Sequence, residues 1–309
     1  MTPEKDNSKL TFPQFDVVSD MSDHHFLGRD PTHCAGNRFL RAISKEWRIL
    51  QENLPESIFV RVPETRSELL RAAIIGAAQT PYHDALFFFD IALTPNYPNE
   101  PPMVHYLSHG HRVNPNLYSN GTVCLSLLNT WIGHPSENWN PKQSTLLQVL
   151  LSIQSLVLNG KPYYNEPGTV RFWTKKSSEY YSQDVFLLTC KTTINLIWNP
   201  PTNFKPLINH HFRQRANAIL AACDAYANGR VKVGFHGCDA AAPPSFKIRP
   251  IFQMNIKIVY ANLVSEFQRI EASVPPGGER LVVIRTNKPK GIFRRMIKNM
   301  RCFGIEEEK

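Results

Sequence analysis

The sequence predicts an α+β fold in which one N-terminal helix precedes a four-stranded antiparallel meander and further helices follow. Apolar residues recur at helical spacing over residues 37–50. Short β-prone runs separated by turn residues come next, and a strongly apolar segment of helical length begins near residue 145. The 309 residues can bury a full core, so the chain holds one ordinary domain with a substantial extension, or two small domains.

The first predicted helix is amphipathic. Its apolar stripe consists of Phe39, Leu40, Ile43, Trp47 and Leu50. Its basic face, outside that stripe, consists of Arg38, Arg41, Lys45 and Arg48. A helix with this pattern packs its stripe against a core and presents its charges to solvent or to a partner.

The predicted strands are short, and a proline-rich corner precedes the last of them. They cover residues 57–62, 69–75, 85–93 and 103–107. The apolar helix at residues 145–158 ends at Asn159-Gly160, a typical stop signal. Further helices are predicted over residues 182–198 and 205–227.

Composition limits the compartment and the chemistry. The net charge of +9 favours acidic partners without choosing among nucleic acid, a lipid surface and an acidic protein. No apolar run approaches the length of a spanning helix, and the N-terminus lacks the pattern of a secretory signal. The 6 cysteines lie far apart without a CxxC pair, which argues against a structural zinc site and favours a reduced intracellular compartment, cytoplasm or nucleus.

Residues 108–140 form a long irregular segment that contains Cys124, and such segments in compact domains are often functional. Four short motifs in and around it resemble those of the ubiquitin-conjugating enzyme family. The corner YPNEPP at residues 97–102 resembles the family's YPxxPP, and NPN at residues 114–116 stands where the family has HPN. The run NGTVCLSLL at residues 120–128 is similar to the family's active-site run NGxICLxxL, and WNP follows it where the family has WSP.

This resemblance covers residue 37 to about residue 196 and is strongest to the large hybrid conjugating enzyme/ligase members and their plant relatives. It implies the ubiquitin-conjugating fold. It also implies that ubiquitin passes from an activating enzyme to Cys124 as a thioester and then to a substrate lysine, with transfer that needs no ligase as a further hypothesis. The resemblance implies no cofactor and no metal for this chain, because the activating enzyme uses the ATP.

By the same resemblance, Asn116 donates a hydrogen bond to the oxyanion that forms on the thioester carbonyl, or it ties down the loop; the two interpretations are compatible. Asn114 replaces the family's usual histidine at an architectural position. A possible acceptor-lysine site comprises Asn114, Trp139, Tyr164 and Glu166, with Glu166 as the candidate base and Tyr164 as a wall. The insert at residues 130–138 is predicted either to gate the acceptor lysine or to be a solvated loop.

Two surfaces are predicted to bind partners. The basic face of the first helix resembles the surface that docks the activating enzyme, although a solvated helix face has the same pattern. Tyr106 and Pro141 fall where the family presents hydrophobic knobs to ubiquitin ligases, and Tyr106 is alternatively a core residue. Protein substrates and ubiquitin itself complete the expected partners.

The chain divides into a flexible leader at residues 1–36, a catalytic domain at 37–198, a helical extension at 199–230 and a basic, partly disordered tail at 231–309. The tail is expected to contain one or two helices. Its basic amphipathic segment near residues 293–301 suits an anionic membrane surface or an acidic protein groove, or packs back on the catalytic domain.

Two other functions stay open at this point. A cysteine hydrolase would pair Cys124 with His105, His109 or His111. An inactive relative would bind ubiquitin or a ligase without forming a thioester, and the presence of Cys124 argues against it.

Overall fold

The computed structural model describes residues 12–29, 36–131, 133–166, 175–237 and 246–274. The strands are β1 (Phe15–Val18), β2 (Ile58–Pro63), β3 (Leu69–Ile75), β4 (Leu86–Ala92) and β5 (Met103–Tyr106). The α-helices are α1 (Asn37–Asn53), α2 (Leu146–Ser152), α3 (Lys175–Trp198), α4 (Lys205–Ala227) and α5 (Pro250–Arg269). A π-helical turn (Ile153–Val157) continues α2, and short 3₁₀ turns occur at Ser126–Leu128, Pro135–Glu137 and Pro162–Asn165.

The strands form one sheet in the order β1-β2-β3-β4-β5. Neighbours from β2 to β5 pair antiparallel, for example Ile74 with Phe87 and Ala92 with Met103. The predicted α+β fold with its helix, meander and later helices is therefore confirmed. The strand β1 adds a fifth strand, parallel to β2, with Phe15 opposite Val60.

The leader prediction is wrong for residues 12–29. These residues form β1 and then bury Met21 and Phe26 at the sheet. The sequence signal was weak because β1 has only four residues, and its pairing with β2 joins segments about forty residues apart in the chain.

Both faces of the sheet are covered, which explains why β3 and β4 read as continuous apolar runs. One face packs against α1 and α2 through Val60, Leu70, Ala72, Ile74, Phe87 and Phe89. The other face packs against α3, α4 and α5 through Ala73, Leu86 and Phe88. The helix α5 lies within the predicted tail and buries Phe252, Ile256, Leu263 and Phe267. The basic segment at 293–301 lies outside the described residues.

The buried carboxylate of Glu46 joins α1 to α2 and to the proline-rich corner. It accepts a hydrogen bond from the Leu146 backbone N–H at 2.9 Å and another from the Tyr97 hydroxyl at 2.7 Å. Thr145 caps the same helix end in a reciprocal pair with Gln148. Leu40, by contrast, was assigned to the apolar stripe of α1 but is 49% exposed. The hydrogen bonds made by Glu46 and Thr145 fix the start of α2.

A buried ion pair ties the leader to the sheet. The Arg71 guanidinium donates to both carboxylate oxygens of Asp90, at 2.5 and 2.9 Å, and to the Asp23 carboxylate at 2.7 Å. The side chains of Arg71 and Asp90 are 0% and 1% exposed. Asp23 also accepts from the Thr202 backbone N–H at 3.0 Å, so the network links the leader, the sheet and the segment before α4.

None of the described helices is both long and apolar enough to cross a bilayer.

We expect Arg71→Met to lower the free energy of unfolding by about 3–5 kcal/mol, because the change leaves the carboxylate of Asp90 buried without its counter-charge. Urea denaturation followed by circular dichroism measures this. Arg230→Met is the matched control, since the Arg230–Asp224 pair is 60% and 39% exposed and contributes at most about 1 kcal/mol. An equal, small loss in the two variants would contradict the assignment.

Candidate active site around Cys124

The backbone around Cys124 is held by short-range pairing after β5. The Cys124 N–H donates to the Asn116 carbonyl at 2.9 Å, and the Tyr106 N–H donates to the Gly121 carbonyl at 2.8 Å. Gly121 has a φ of +90° and lies against the His105 ring, where a Cβ would come within 2.0 Å of Cε1. Only glycine meets both conditions, which explains the NG pair before the cysteine.

Asn114 anchors the loop from below. Its side-chain N–H groups donate to the Tyr82 hydroxyl at 2.8 Å and to the Val157 carbonyl at 2.7 Å, and its oxygen accepts from the Asn116 N–H at 2.8 Å. The helix ends at Val157, so the Val157 carbonyl has no helical partner, and this bond and a second one from Asn165 Nδ2 at 3.3 Å satisfy it. Asn114 is 0% exposed and has the architectural position that was predicted for it.

Asn116 lies beside the reactive residue. Its Nδ2 donates to the Cys124 carbonyl oxygen at 2.9 Å, and its Oδ1 has no hydrogen-bond partner among the described residues. This bond uses one of the two N–H groups of the amide. The loop-anchoring hydrogen bond of Asn116 is therefore present in the structure, and the oxyanion role stays a prediction.

Cys124 is at the edge of the core. It is 9% exposed, whereas Cys190 and Cys223, the other two cysteines in the described part of the chain, are 2% and 0% exposed. Cys124 is therefore a buried residue, but it lies nearer the surface than the other two.

Three side chains act on the Cys124 sulfur. Burial raises the pKa of the Cys124 thiol, while the Arg112 charge and a hydrogen bond with Tyr118 lower it and the Glu166 charge raises it. Arg112 and Tyr118 were missed by the sequence analysis. Nothing in their spacing marked them, because they meet the sulfur only when the loop closes.

Glu166 and Tyr164 lie on the segment that follows α2. Glu166 pairs with Arg112, with Oε2 3.2 Å from Nη2, and its side chain is 31% exposed. Tyr164 is 37% exposed, and its ring lies 5.7 Å from that of Tyr163. The fold thus brings the predicted base to the charged side of the thiol and leaves Tyr164 at the surface.

Trp139 closes the other side of the loop. Its indole N–H donates to the Pro98 carbonyl at 2.7 Å, and its ring lies 5.6 Å from that of Tyr97.

Thr130, at the start of the predicted insert, donates to the Val123 carbonyl at 2.7 Å. The insert then continues into the exposed turn at residues 135–137.

Two of the three histidines of the hydrolase alternative contact other side chains. His105 stacks on the ring of His25 at 3.5 Å, and His111 accepts a hydrogen bond from an α3 amide. Burial lowers the pKa of His105, His109 and His111, and it lowers that of His111 to about 4. None of them is among the groups that act on the Cys124 sulfur. The described residues also contain no group of three or more His, Cys, Asp or Glu that could hold a metal ion.

The predicted partner surfaces are partly corrected. Tyr106 is 0% exposed and packs in the core against Phe89, so it presents no knob to a ligase. Pro141 is exposed. The four residues of the basic face are all exposed, and a shallow cleft of about 600 Å³ runs along α1 beside three of them. The Arg38 guanidinium donates to the Asn99 side chain at 3.3 Å, so the basic face of α1 adjoins the proline-rich corner.

Comparison with known proteins gives consistent matches. The sequence profile of the family described as "Ubiquitin-conjugating enzyme" matches residues 42–186. The Arabidopsis thaliana protein named "Putative ubiquitin-conjugating enzyme E2 38" is 44% identical over 276 residues, which are 86% of this chain and 84% of that protein.

Two longer proteins match in part. "Probable ubiquitin-conjugating enzyme E2 24" of Arabidopsis thaliana is 47% identical over 278 residues, 86% of this chain but 30% of the relative. The Homo sapiens "Dual E2 ubiquitin-conjugating enzyme/E3 ubiquitin-protein ligase BIRC6" is 38% identical over 240 residues, 71% of this chain and 5% of the relative. This chain therefore spans less than a third of these two proteins. The motifs around Cys124, the fold that holds them and these matches together show that the chain belongs to the ubiquitin-conjugating enzyme family.

Proposed function

We propose that this chain accepts ubiquitin from an activating enzyme as a thioester on Cys124 and transfers it to a lysine of a protein substrate. One observation carries the proposal. Cys124 lies in an ordered loop as the most exposed of the described cysteines, with the Arg112 charge and the Tyr118 hydroxyl acting on its sulfur and the Asn116 amide on its backbone carbonyl. This arrangement suits a nucleophile that must also leave.

In the first step the Cys124 thiol loses its proton to solvent, and the thiolate attacks the thioester carbonyl of ubiquitin on the activating enzyme. A new C–S bond forms, and the bond to the activating enzyme's sulfur breaks with that sulfur leaving as a thiolate. Two thioesters of similar energy exchange, so the protein needs no strong catalyst here. Access to the sulfur and some thiolate at neutral pH are sufficient.

In the second step the neutral amine of a lysine attacks the same carbonyl carbon. A C–N bond forms, the C–S bond breaks, and Cys124 leaves as a thiolate beside Arg112. The negative charge that develops on the carbonyl oxygen is stabilised by the free N–H of Asn116. The nitrogen becomes positively charged as the C–N bond forms and loses a proton to a nearby base, for which Glu166 is the candidate carboxylate.

The remaining expectations are part of the same proposal. The chain needs no cofactor or metal of its own, and it works inside the cell, in the cytoplasm or nucleus. The exposed basic face of α1 docks the activating enzyme, and Pro141 with the neighbouring corner contacts a ligase where one is used. The insert at residues 130–138 borders the acceptor-lysine site, and the basic tail contacts an acidic protein or an anionic membrane surface.

We expect Cys124→Ala to abolish ubiquitin loading and Cys124→Ser to trap ubiquitin as an oxyester that survives reducing agent. Incubation with activating enzyme, ATP and ubiquitin, followed by gels with and without thiol, measures both. Cys190→Ala is the control and loads normally, because Cys190 is buried between helices. Undiminished loading of Cys124→Ala would refute the site.

We expect Asn116→Ala to slow discharge of the loaded thioester to free lysine by about 10²–10³-fold, because one oxyanion donor is lost. Loading should change much less. Single-turnover discharge in EDTA, after the ATP-dependent step has been stopped, measures the rate and also tests whether a metal is needed. Asn114→Ala is the comparison: it should lower thermal stability and both steps together, and the same pattern in Asn116→Ala would leave only the loop-anchoring role.

We expect the purified chain to ubiquitinate itself without any ligase. A dual conjugating enzyme/ligase among the relatives and an acceptor site assembled from this chain's own residues support this expectation. Reactions with activating enzyme, ATP and ubiquitin, with Cys124→Ala as the blank, test it. Loading without autoubiquitination until a ligase is added would contradict it, and no loading at all would favour the inactive relative.

A further inference from the structure

Arg112 is placed to connect three separate segments of the site. Its Nη2 donates to the Pro115 carbonyl at 3.0 Å and pairs with Glu166 at 3.2 Å. Its guanidinium carbon lies 4.3 Å from the centre of the Tyr118 ring. One planar cation thus touches the NPN turn, the residue that bonds the Cys124 sulfur and the segment after α2.

The contacts of Arg112 contribute only modestly to the free energy of folding. The side chains of Arg112 and Glu166 are 37% and 31% exposed, and pairs of this kind contribute about 0–1 kcal/mol to folding. Asn114 and the π-helical turn already hold the loop without Arg112. The Arg112–Glu166 pair therefore contributes little to the stability of the fold. Both of its charges influence the pKa of the Cys124 thiol.

The charged and titratable groups that face the sulfur come from three directions. Arg112 and Tyr118 lie on the loop before it, and Glu166 lies on the segment after α2. From α3, Tyr181 faces the Arg112–Glu166 pair, and burial raises its pKa, so it stays neutral in the physiological range. Arg112 and Glu166 thus supply the opposing charges, and they act on one sulfur with opposite sign.

We propose that Arg112 is a positioning residue that supports both loading and transfer. This inference rests on the proposed function. During loading its charge favours the Cys124 thiolate, and during transfer it favours the same thiolate as the leaving group. Its bond to Glu166 holds that carboxylate where the amine of the acceptor lysine arrives.

The structure also indicates why arginine is used here. Its Nη2 bonds a carbonyl and a carboxylate while its flat face covers the Tyr118 ring. A lysine ammonium supplies the charge and can donate to either acceptor, but it lacks the flat face that covers the Tyr118 ring, so it fixes the position of Glu166 less well.

The test compares Arg112→Met, Arg112→Lys and Glu166→Gln with wild type in the full chain. The first measurement is the pH dependence of iodoacetamide alkylation of Cys124, followed by peptide mass spectrometry, which requires neither ubiquitin nor activating enzyme. We expect Arg112→Met to move the midpoint up by about one pH unit and Glu166→Gln to move it down, because an opposite and a like charge are removed. Arg112→Lys should restore the wild-type midpoint.

The second measurement is single-turnover discharge of loaded protein to free lysine at neutral pH. We expect a loss of at least about tenfold in Glu166→Gln. Arg112→Lys should show a similar loss despite its normal alkylation midpoint, because the carboxylate is held less well. An unchanged midpoint in Arg112→Met, or normal discharge in Arg112→Lys, would overturn the inference.

Two controls keep the interpretations apart. Thermal unfolding of each variant should stay within a few degrees of wild type, and a large fall shared by Arg112→Met and Arg112→Lys would assign Arg112 to the fold instead. Failure of the wild-type chain to load ubiquitin would sink the proposed function. A wild type that loads, with unmoved alkylation profiles in the variants, would sink only the role of Arg112.

Discussion

A buried amide holds the active site together. The helix after α2 ends at Val157, so the Val157 carbonyl has no helical partner, and an unsatisfied buried carbonyl is costly. Asn114 donates to this carbonyl and, through its own side-chain oxygen, accepts from the Asn116 N–H. Asn116 in turn bonds both backbone groups of Cys124: its side-chain N–H donates to the Cys124 carbonyl, and its own carbonyl accepts from the Cys124 N–H. The backbone of Cys124 is therefore tied, through two asparagines, to the end of this helix.

This arrangement needs a rigid base, and the sheet supplies it. Helices cover both faces, so β3 and β4 are buried almost throughout. The helix α2 is fixed at its start by Glu46, which reaches across from α1. On the opposite side, the Arg71–Asp90–Asp23 network ties the leader to the sheet and to the segment before α4. The loop of Cys124 can thus be irregular and still be held in one place.

Several opposing effects act on the pKa of the Cys124 thiol. Burial disfavours the Cys124 thiolate, and Arg112 and Tyr118 recover part of what burial costs. Glu166 works against them at the sulfur, and in the proposed transfer it takes a proton from the acceptor lysine. Because a thioester is already activated, moderate effects of this kind are sufficient, and no cluster of strongly shifted groups is required.

The sequence by itself determined the order of elements, the reactive cysteine and the loop residues beside it, because these depend on local periodicity and on short contiguous motifs. The helix α1 and the strands β2 to β5 appeared where the spacing predicted them. Tertiary structure alone decided the parallel pairing of β1, the burial of Tyr106 and the meeting of Arg112 and Tyr118 with Cys124. Each of these depends on segments that folding brings together. Neither periodicity nor residue type predicts which side chains will then be in contact.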